Sequence, residues 1–280
     1  MIVDCHTHIW QCPEHVGGAF AADAARVWGA RAPLNLTPEA HQTAMAAVDR
    51  AIVFGLRARH VGILVPNDCV ADLVRRDPAK YIGFLSVDPL VDDVPAEVER
   101  GVQELGLRGI KLGPTYGAYH PMDERLQPAY AFAGKHGLPV LFHQGATFVR
   151  TAPLKYANPV LLEDVALRYP DLKIVIAHLG HPWDAETIVL LRKQPTVSAG
   201  ISALFFRPWQ LYNAMRLAIE YAVIDKLLFG TDYPFSTVEA SIEGFRRVSE
   251  IGHGTSLPRV PWSVFAAILH RDSLALLGLE

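Results

Sequence analysis

Short apolar or β-branched runs alternate along the chain with longer segments in which hydrophobic residues recur at helical spacing. Eight runs stand out, at residues 1–5, 51–55, 81–87, 109–112, 139–143, 173–178, 196–201 and 227–232. Each carries few charges, as strands buried on both faces do, so the pattern predicts a parallel sheet covered by helices. Eight strand–helix units are the number at which such a sheet closes into a (β/α)8 TIM barrel.

The helical segments carry recognisable ends. Thr37-Pro38-Glu39 offers an N-cap with proline in the first turn, and Asp123-Glu124 opens a helix that closes at Lys135-His136-Gly137. Asn158-Pro159 starts another that runs to Tyr169, after which Pro170-Asp171 turns the chain into the sixth strand. Residues 261–269 and 272–277 exceed what eight units need and are expected to cap the floor or side of the barrel as a short C-terminal helical extension. The longest irregular stretch, residues 11–36, is rich in Ala, Gly and Pro and is expected to lie over the active-site mouth.

The chain has 280 residues, and because barrels of about 250 residues occur as one domain, residues 1–280 are read as a single unit. Half the residues are hydrophobic and 20% are charged, an ordinary globular composition. No apolar run approaches the roughly 18 residues of a membrane span, and the start lacks the features of a signal peptide, so a cytoplasmic location is expected. A net charge of -3 with no basic block leaves no electrostatic footprint for nucleic acid or an anionic membrane, which points to a small-molecule partner. Homo-oligomerisation stays open. Cys5, Cys12 and Cys69 lack C-x-x-C spacing and are read as free thiols of the core or of the site's surroundings.

Chemistry gathers at the strand ends. His6 and His8, spaced by two, project to the same side of an extended chain and can share one metal. The fifth run ends in His143, the sixth in His178 and the eighth in Asp232. Barrel enzymes place their reacting groups at these C-terminal ends, and a polar group closing an apolar run is costly to bury without a partner. Ligation rich in nitrogen with one carboxylate favours zinc, with Fe2+, Mn2+ and Co2+ as alternatives.

Asp4-Cys-His6-Thr-His8, Gly109-Ile-Lys111-Leu, Gly137-Leu-Pro-Val-Leu-Phe-His143, Ile176-Ala-His178-Leu-Gly180 and Leu228-Phe-Gly-Thr-Asp232-Tyr-Pro234 together resemble the amidohydrolase superfamily. More narrowly they resemble its amidohydrolase 2 branch of small barrels. That branch includes metal-dependent hydrolases, lactonases and nonoxidative decarboxylases such as aminocarboxymuconate semialdehyde decarboxylase. The resemblance spans nearly the whole chain and implies that His6, His8, His143 and Asp232 hold a metal, with His178 on it or beside it. A divalent ion there lowers the pKa of bound water to roughly 7. Asp232 then suits proton transfer and His178 suits hydrogen bonding to a developing oxyanion, which makes these two the catalytic pair.

Lys111 admits two roles by the same resemblance. Carboxylated, it bridges a second metal held with His178; as an ammonium, it binds a substrate carboxylate, which is the reading we rank first. Tyr116 and Arg207 join it as candidate substrate contacts, Arg207 because a guanidinium grips a carboxylate bidentately. Tyr119 and His120 follow the same strand and are weaker candidates for the pocket lining. His181, ahead of Pro182 and Trp183, reads as a helix start. His15, His41, His60, His136, His253 and His270 read as surface or capping residues.

The reading ranks hydrolysis of a small ester, lactone or amide first, with a substrate bearing a carboxylate. Nonoxidative decarboxylation or hydration of an unsaturated or aromatic acid stands second. A non-catalytic barrel is disfavoured, because a scaffold released from catalysis gains nothing from concentrating titratable groups at converging strand ends.

Overall fold

The computed structural model describes residues 1–29 and 34–280. Eight parallel strands form one sheet in chain order: β1 Val3–His8, β2 Arg50–Phe54, β3 Tyr81–Ser86, β4 Ile110–Leu112, β5 Val140–Phe142, β6 Ile174–Ile176, β7 Val197–Gly200 and β8 Leu227–Leu228. The last strand returns to the first. Cys5 N–H donates to Phe229 O at 2.9 Å, Asp232 N–H to His6 O at 3.0 Å and His8 N–H to Tyr233 O at 2.8 Å. The result is a (β/α)8 barrel, as the strand pattern predicts.

Two boundaries differ in ways that matter for the site. β1 extends to His8, so both histidines belong to the strand and inherit its alternation. β8 is confined to Leu227–Leu228, and Asp232, expected to end an extended run, takes the left-handed conformation at φ 62. Gly230 stands where the two ends of the sheet crowd together: a Cβ there would lie 2.9 Å from His6 Cβ.

The barrel interior is filled by inward side chains of the strands, among them Val3, Cys5, Ile52, Phe84, Leu141 and Leu228. Leu274, Leu277 and Leu279 of the C-terminal segment join this same cluster, so the helix Ser273–Leu277 closes the barrel floor as expected. Arg108 secures the end of the chain by donating to Leu279 O and Glu280 O.

Local signals place several helices. Thr37 Oγ1 caps the helix Pro38–Ala44 by accepting Ala40 N–H at 3.2 Å, and Gly137 ends the helix Gln127–His136 at φ 67. The helix expected from Asn158-Pro159 begins at Leu161, because residues 158–160 form a turn in which Asn158 Oδ1 accepts Val160 N–H. The stretch 11–36, expected to be irregular, contains the helix Gly18–Trp28, whose face with Phe20 and Ala24 is buried; residues 30–33 of that stretch lie outside the described residues. A two-stranded antiparallel hairpin, Arg57–Ala58 with Ile63–Leu64, follows β2 and was not expected. Among the described residues, no helix is long and apolar enough to cross a membrane. All three cysteines are free thiols, with Cys5 buried in the interior.

Candidate active site

Alternation along β1 turns His6 and His8 toward the barrel mouth and Thr7 outward, where its hydroxyl donates to Ile52 O at 2.8 Å. The two imidazole Nε2 atoms stand 3.2 Å apart. Asp232 Oδ1 lies 3.2 Å from His6 Nε2 and 3.3 Å from His8 Nε2. His178 approaches the same oxygen to 4.0 Å through Nε2, and Ser202 Oγ holds its Nδ1 at 2.9 Å. Both His178 and Asp232 take positive φ, 56 and 62. For residues other than glycine this costs on the order of 1–3 kcal/mol, a strain that surrounding structure must sustain. The Asp232 N–H bond to His6 O and the His181 N–H bond to His178 O do so here.

Burial is the main electrostatic force in this cluster. It drives the imidazoles of His6, His8 and His143 well below their usual range, with the Lys111 charge adding to the effect, and it lowers His178 to about 4. The rings are therefore neutral at neutral pH, the form that ligates metals. Burial also raises the Asp232 carboxyl and lowers the Lys111 ammonium.

The donor atoms fit a cation. Atoms that ligate one ion at about 2.0–2.2 Å stand roughly 3–3.5 Å apart at angles near 90–110°. His6 Nε2, His8 Nε2 and Asp232 Oδ1 have that spacing pairwise. The ligand atoms of His6, His178 and Asp232 all lie within 4.8 Å of one another, a candidate metal-binding triad. His143 stands beside it, its ring centroid 5.1 Å from that of His178 and its buried Nε2 without a hydrogen-bond partner among the described residues.

Lys111, from β4, is 1% exposed; its Nζ lacks a hydrogen-bond partner among the described residues and sits 4.6 Å from the Phe54 ring centroid. It borders, with His8, His143, His178 and Asp232, a cavity of about 260 Å³. Trp10, Phe20, Trp28, Phe148 and Phe235 form aromatic walls above these groups. Tyr116 also lines the cavity and accepts a hydrogen bond from Thr147 Oγ1 at 2.9 Å. Arg207 stands at the cavity edge, its Nη1 donating to Ala203 O at 2.7 Å and its guanidinium 4.5 Å from the Phe206 ring centroid. No carboxylate pairs with it among the described residues.

Some expectations need correction. Tyr119 is core: its hydroxyl accepts Gly113 N–H at 3.0 Å, and it does not border the cavity. His120 is held in its own turn by Met122 N–H. His181 does not start a helix but faces the cavity, and the helix Asp184–Lys193 begins after Trp183. His41, read as surface or cap, is fully buried behind β1, with Nε2 3.1 Å from Thr7 Oγ1 and Nδ1 3.3 Å from Tyr81 OH. One buried polar residue on a short helix leaves no periodic signal, so proximity to Thr7 emerges only in the fold. The aromatic walls come from separate loops and were equally invisible as a set.

Residues 3–279 match the family described as Amidohydrolase (Amidohydro_2). The chain belongs to the amidohydrolase family. Among its relatives, this amidohydrolase is 24% identical over 217 residues to the 2-amino-3-carboxymuconate-6-semialdehyde decarboxylase of Dictyostelium discoideum, a match covering 66% of this chain and 60% of that protein. The chain thus spans less than two thirds of that relative's length. A probable 2-pyrone-4,6-dicarboxylic acid hydrolase from Acinetobacter baumannii, solved with citric acid bound, superposes with a TM-score of 0.69 at 19% identity, covering 99% of each chain. A dihydroxybenzoic acid decarboxylase from Polaromonas, solved with manganese and 2-nitroresorcinol, superposes with a TM-score of 0.64 at 16% identity, covering 99% of this chain and 97% of that one. At these identities the structures speak for the shared barrel.

Proposed function

We propose that this amidohydrolase is a metal-dependent, nonoxidative decarboxylase of a small planar carboxylic acid, aromatic or conjugated. One observation carries the reading: an aromatic-walled cavity is lined by a buried Lys111, without a hydrogen-bond partner among the described residues, beside the His6, His8 and Asp232 cluster. A flat π-system gains both area and favourable ring geometry between such walls. The kinship with a curated decarboxylase supports it.

His6, His8 and Asp232, with His143 and His178 beside them, would hold a divalent cation that would supply Lewis acidity; zinc suits the nitrogen-rich set, and manganese, iron(II) or cobalt is compatible with it. Lys111 neutralises the carboxylate that is to leave and fixes its direction. The walls exclude water, which strengthens each of these charge interactions. As the bond between the carboxyl group and the adjacent carbon breaks, CO2 departs and the electron pair stays on that carbon. His178, whose Nε2 stands 4.0 Å from Asp232 Oδ1, and the Asp232 carboxyl hold between them the proton that replaces CO2. Ser202 keeps the ring aimed by engaging its other nitrogen. Solvent returns the proton after product leaves.

A second reading, hydrolysis of a lactone, ester or amide of the same kind of acid, is favoured by Asp232 lining the cavity, where its carboxyl can take a proton from an attacking water. A cytoplasmic location and a small-molecule partner, with neither nucleic acid nor membrane, belong to the same proposal. The test is a panel of hydroxybenzoic, dienoic and pyrone carboxylic acids given to metal-loaded protein, with CO2 release and ring opening followed separately. Decarboxylation of at least one acid is expected. Ring opening or ester cleavage without any CO2 release would replace this reading by the second.

A further inference from the structure

Asp23 lies in the middle of the helix Gly18–Trp28, yet it faces another loop rather than water. Its side chain is only 8% exposed. Oδ2 accepts the backbone N–H of Arg150 at 2.8 Å, Oδ1 accepts Arg26 Nε at 3.0 Å, and Arg150 Nε stands 3.4 Å from the same oxygen. Arg26 spans the same gap and donates to Phe148 O at 3.0 Å. These contacts join two segments whose bonded residues are 127 and 122 positions apart in the chain. Neither segment is part of the barrel wall.

Each segment carries part of the aromatic slot. The helix brings Phe20 and Trp28, and the loop after β5 brings Thr147 and Phe148. Their rings meet where Phe20 and Phe148 stand 5.3 Å apart between centroids. The helix is bounded by glycines in positive φ, Gly18 at 54 and Gly29 at 59, and its N-terminal end is tied to the hairpin, where Gly17 N–H donates to Gly62 O at 2.9 Å. The orientation of the helix body over the cavity depends on what fastens it beyond that end, and there the side-chain fastening converges on the Asp23 carboxylate. Charge-assisted bonds of this kind are the strong ones, above all when the acceptor is shielded from water.

We infer that Asp23 is a positioning residue that assembles the aromatic half of the cavity from two separate loops and so sets how tightly the planar part of the substrate is held. The inference rests on the proposed reading only for the nature of that ligand. Asp23 is remote in role from the cluster at the floor. Removing it should weaken binding without weakening chemistry, which appears as a rise in KM at constant kcat.

Two measurements on the full, metal-loaded protein test this. The first needs no ligand: in Asp23→Ala, backbone amides of residues 18–28 and 146–152 should exchange with deuterium about tenfold faster, while the barrel strands keep their protection. The second uses benzoate as probe by titration calorimetry. Its Kd should rise about tenfold in Asp23→Ala and by less in Asp23→Asn, whose carboxamide oxygen still accepts the Arg150 N–H. With an acid that the enzyme turns over, KM should rise by the same factor, with kcat within twofold and metal content unchanged. Unchanged exchange in both segments would overturn the inference, and so would loss of metal and kcat together with KM. If the wild-type protein neither binds benzoate nor decarboxylates any acid, the proposed reaction fails, while the exchange comparison still decides the role of Asp23.

Discussion

Asp4 binds the two edges of the barrel together through Thr231. Its Oδ1 accepts Thr231 N–H at 3.0 Å and its Oδ2 accepts the Thr231 hydroxyl at 2.7 Å, while Oδ1 also takes His6 N–H at 3.1 Å. One fully buried carboxylate thus fixes the backbone beside His6 and beside Asp232, the residues whose side chains meet across the closure. Burial pushes the Asp4 carboxyl up to about 7 even though these three hydrogen bonds pull it down.

Asp4→Ala removes the common acceptor of three buried donors, the Thr231 N–H, the His6 N–H and the Thr231 hydroxyl. We expect a loss of about 2–3 kcal/mol of stability, the cost of leaving buried polar groups unpaired, together with weaker metal binding because His6 and Asp232 lose their common anchor. Urea unfolding with parallel metal competition reads both effects. A variant as stable as the parent, with the same metal affinity, would show that Thr231 and His6 do not depend on this acid.

The metal ligands make a sharper prediction. His6→Ala combined with His8→Ala should abolish stoichiometric metal, and His143→Ala should lower affinity by roughly the 10- to 100-fold seen when groups around a metal are lost, or more if it ligates directly. Elemental analysis after dialysis against a chelator of known strength distinguishes these. If neither the parent nor any variant retains or responds to zinc, manganese or iron(II), the cluster is not a metal site.

Lys111 tests the choice between one ion and two. As an ammonium that meets a substrate carboxylate, its change to Ala should weaken binding of an acid, read as Kd, far more than binding of a neutral analogue, and leave about one metal per chain. As a carboxylated bridge, the same change would remove metal along with kcat, and the parent would hold two ions about 3.5–4 Å apart. Metal counting before and after the substitution separates the two outcomes.

Why some of this was legible in the chain and some was not follows from the range of the interactions. Strand runs such as 139–143 declare themselves because barrel strands bury both faces, and Thr37 or Gly137 because caps depend on neighbours a few residues away. His6, His8, His143, His178 and Asp232 stand out because each is polar at the end of an apolar run. Three kinds of feature escape that logic. The helix Gly18–Trp28 is stabilised by packing against distant loops, the Asp23 contacts bridge residues far apart in the chain, and the left-handed turn at Asp232 replaces strand where hydrophobicity alone suggests more. His181 and His41 show the same limit in opposite senses: one is drawn into the cavity, the other is locked behind the sheet.

His41 should also give the protein a measurable acid sensitivity. Thr7 Oγ1 donates its proton to Ile52 O, so it accepts from His41 Nε2–H, which leaves Nδ1 to accept from the Tyr81 hydroxyl. The ring is thus built into the fold in its neutral form, and burial lowers its pKa from 6.5 to about 4. Between those values the unfolded chain binds a proton that the folded chain refuses. The contribution of His41 to stability is therefore complete above pH 6.5, falls by up to about 1.4 kcal/mol per pH unit as acid is added, and levels off below about 4. His6, His8, His143 and His178 shift in the same direction while Asp4 and Asp232 shift in the opposite one, so the slope of the metal-free parent sums both and the difference between parent and variant isolates His41. His41→Gln retains an amide donor for Thr7 and removes one titrating group. Urea unfolding of the chelator-treated parent and variant from pH 7.5 to 4.5 should give slopes that differ by nearly one proton, with the variant the flatter. Identical slopes would mean that His41 is protonated in the folded protein, and the hydrogen bond at Tyr81, where Nδ1 would then donate, would have to be reversed.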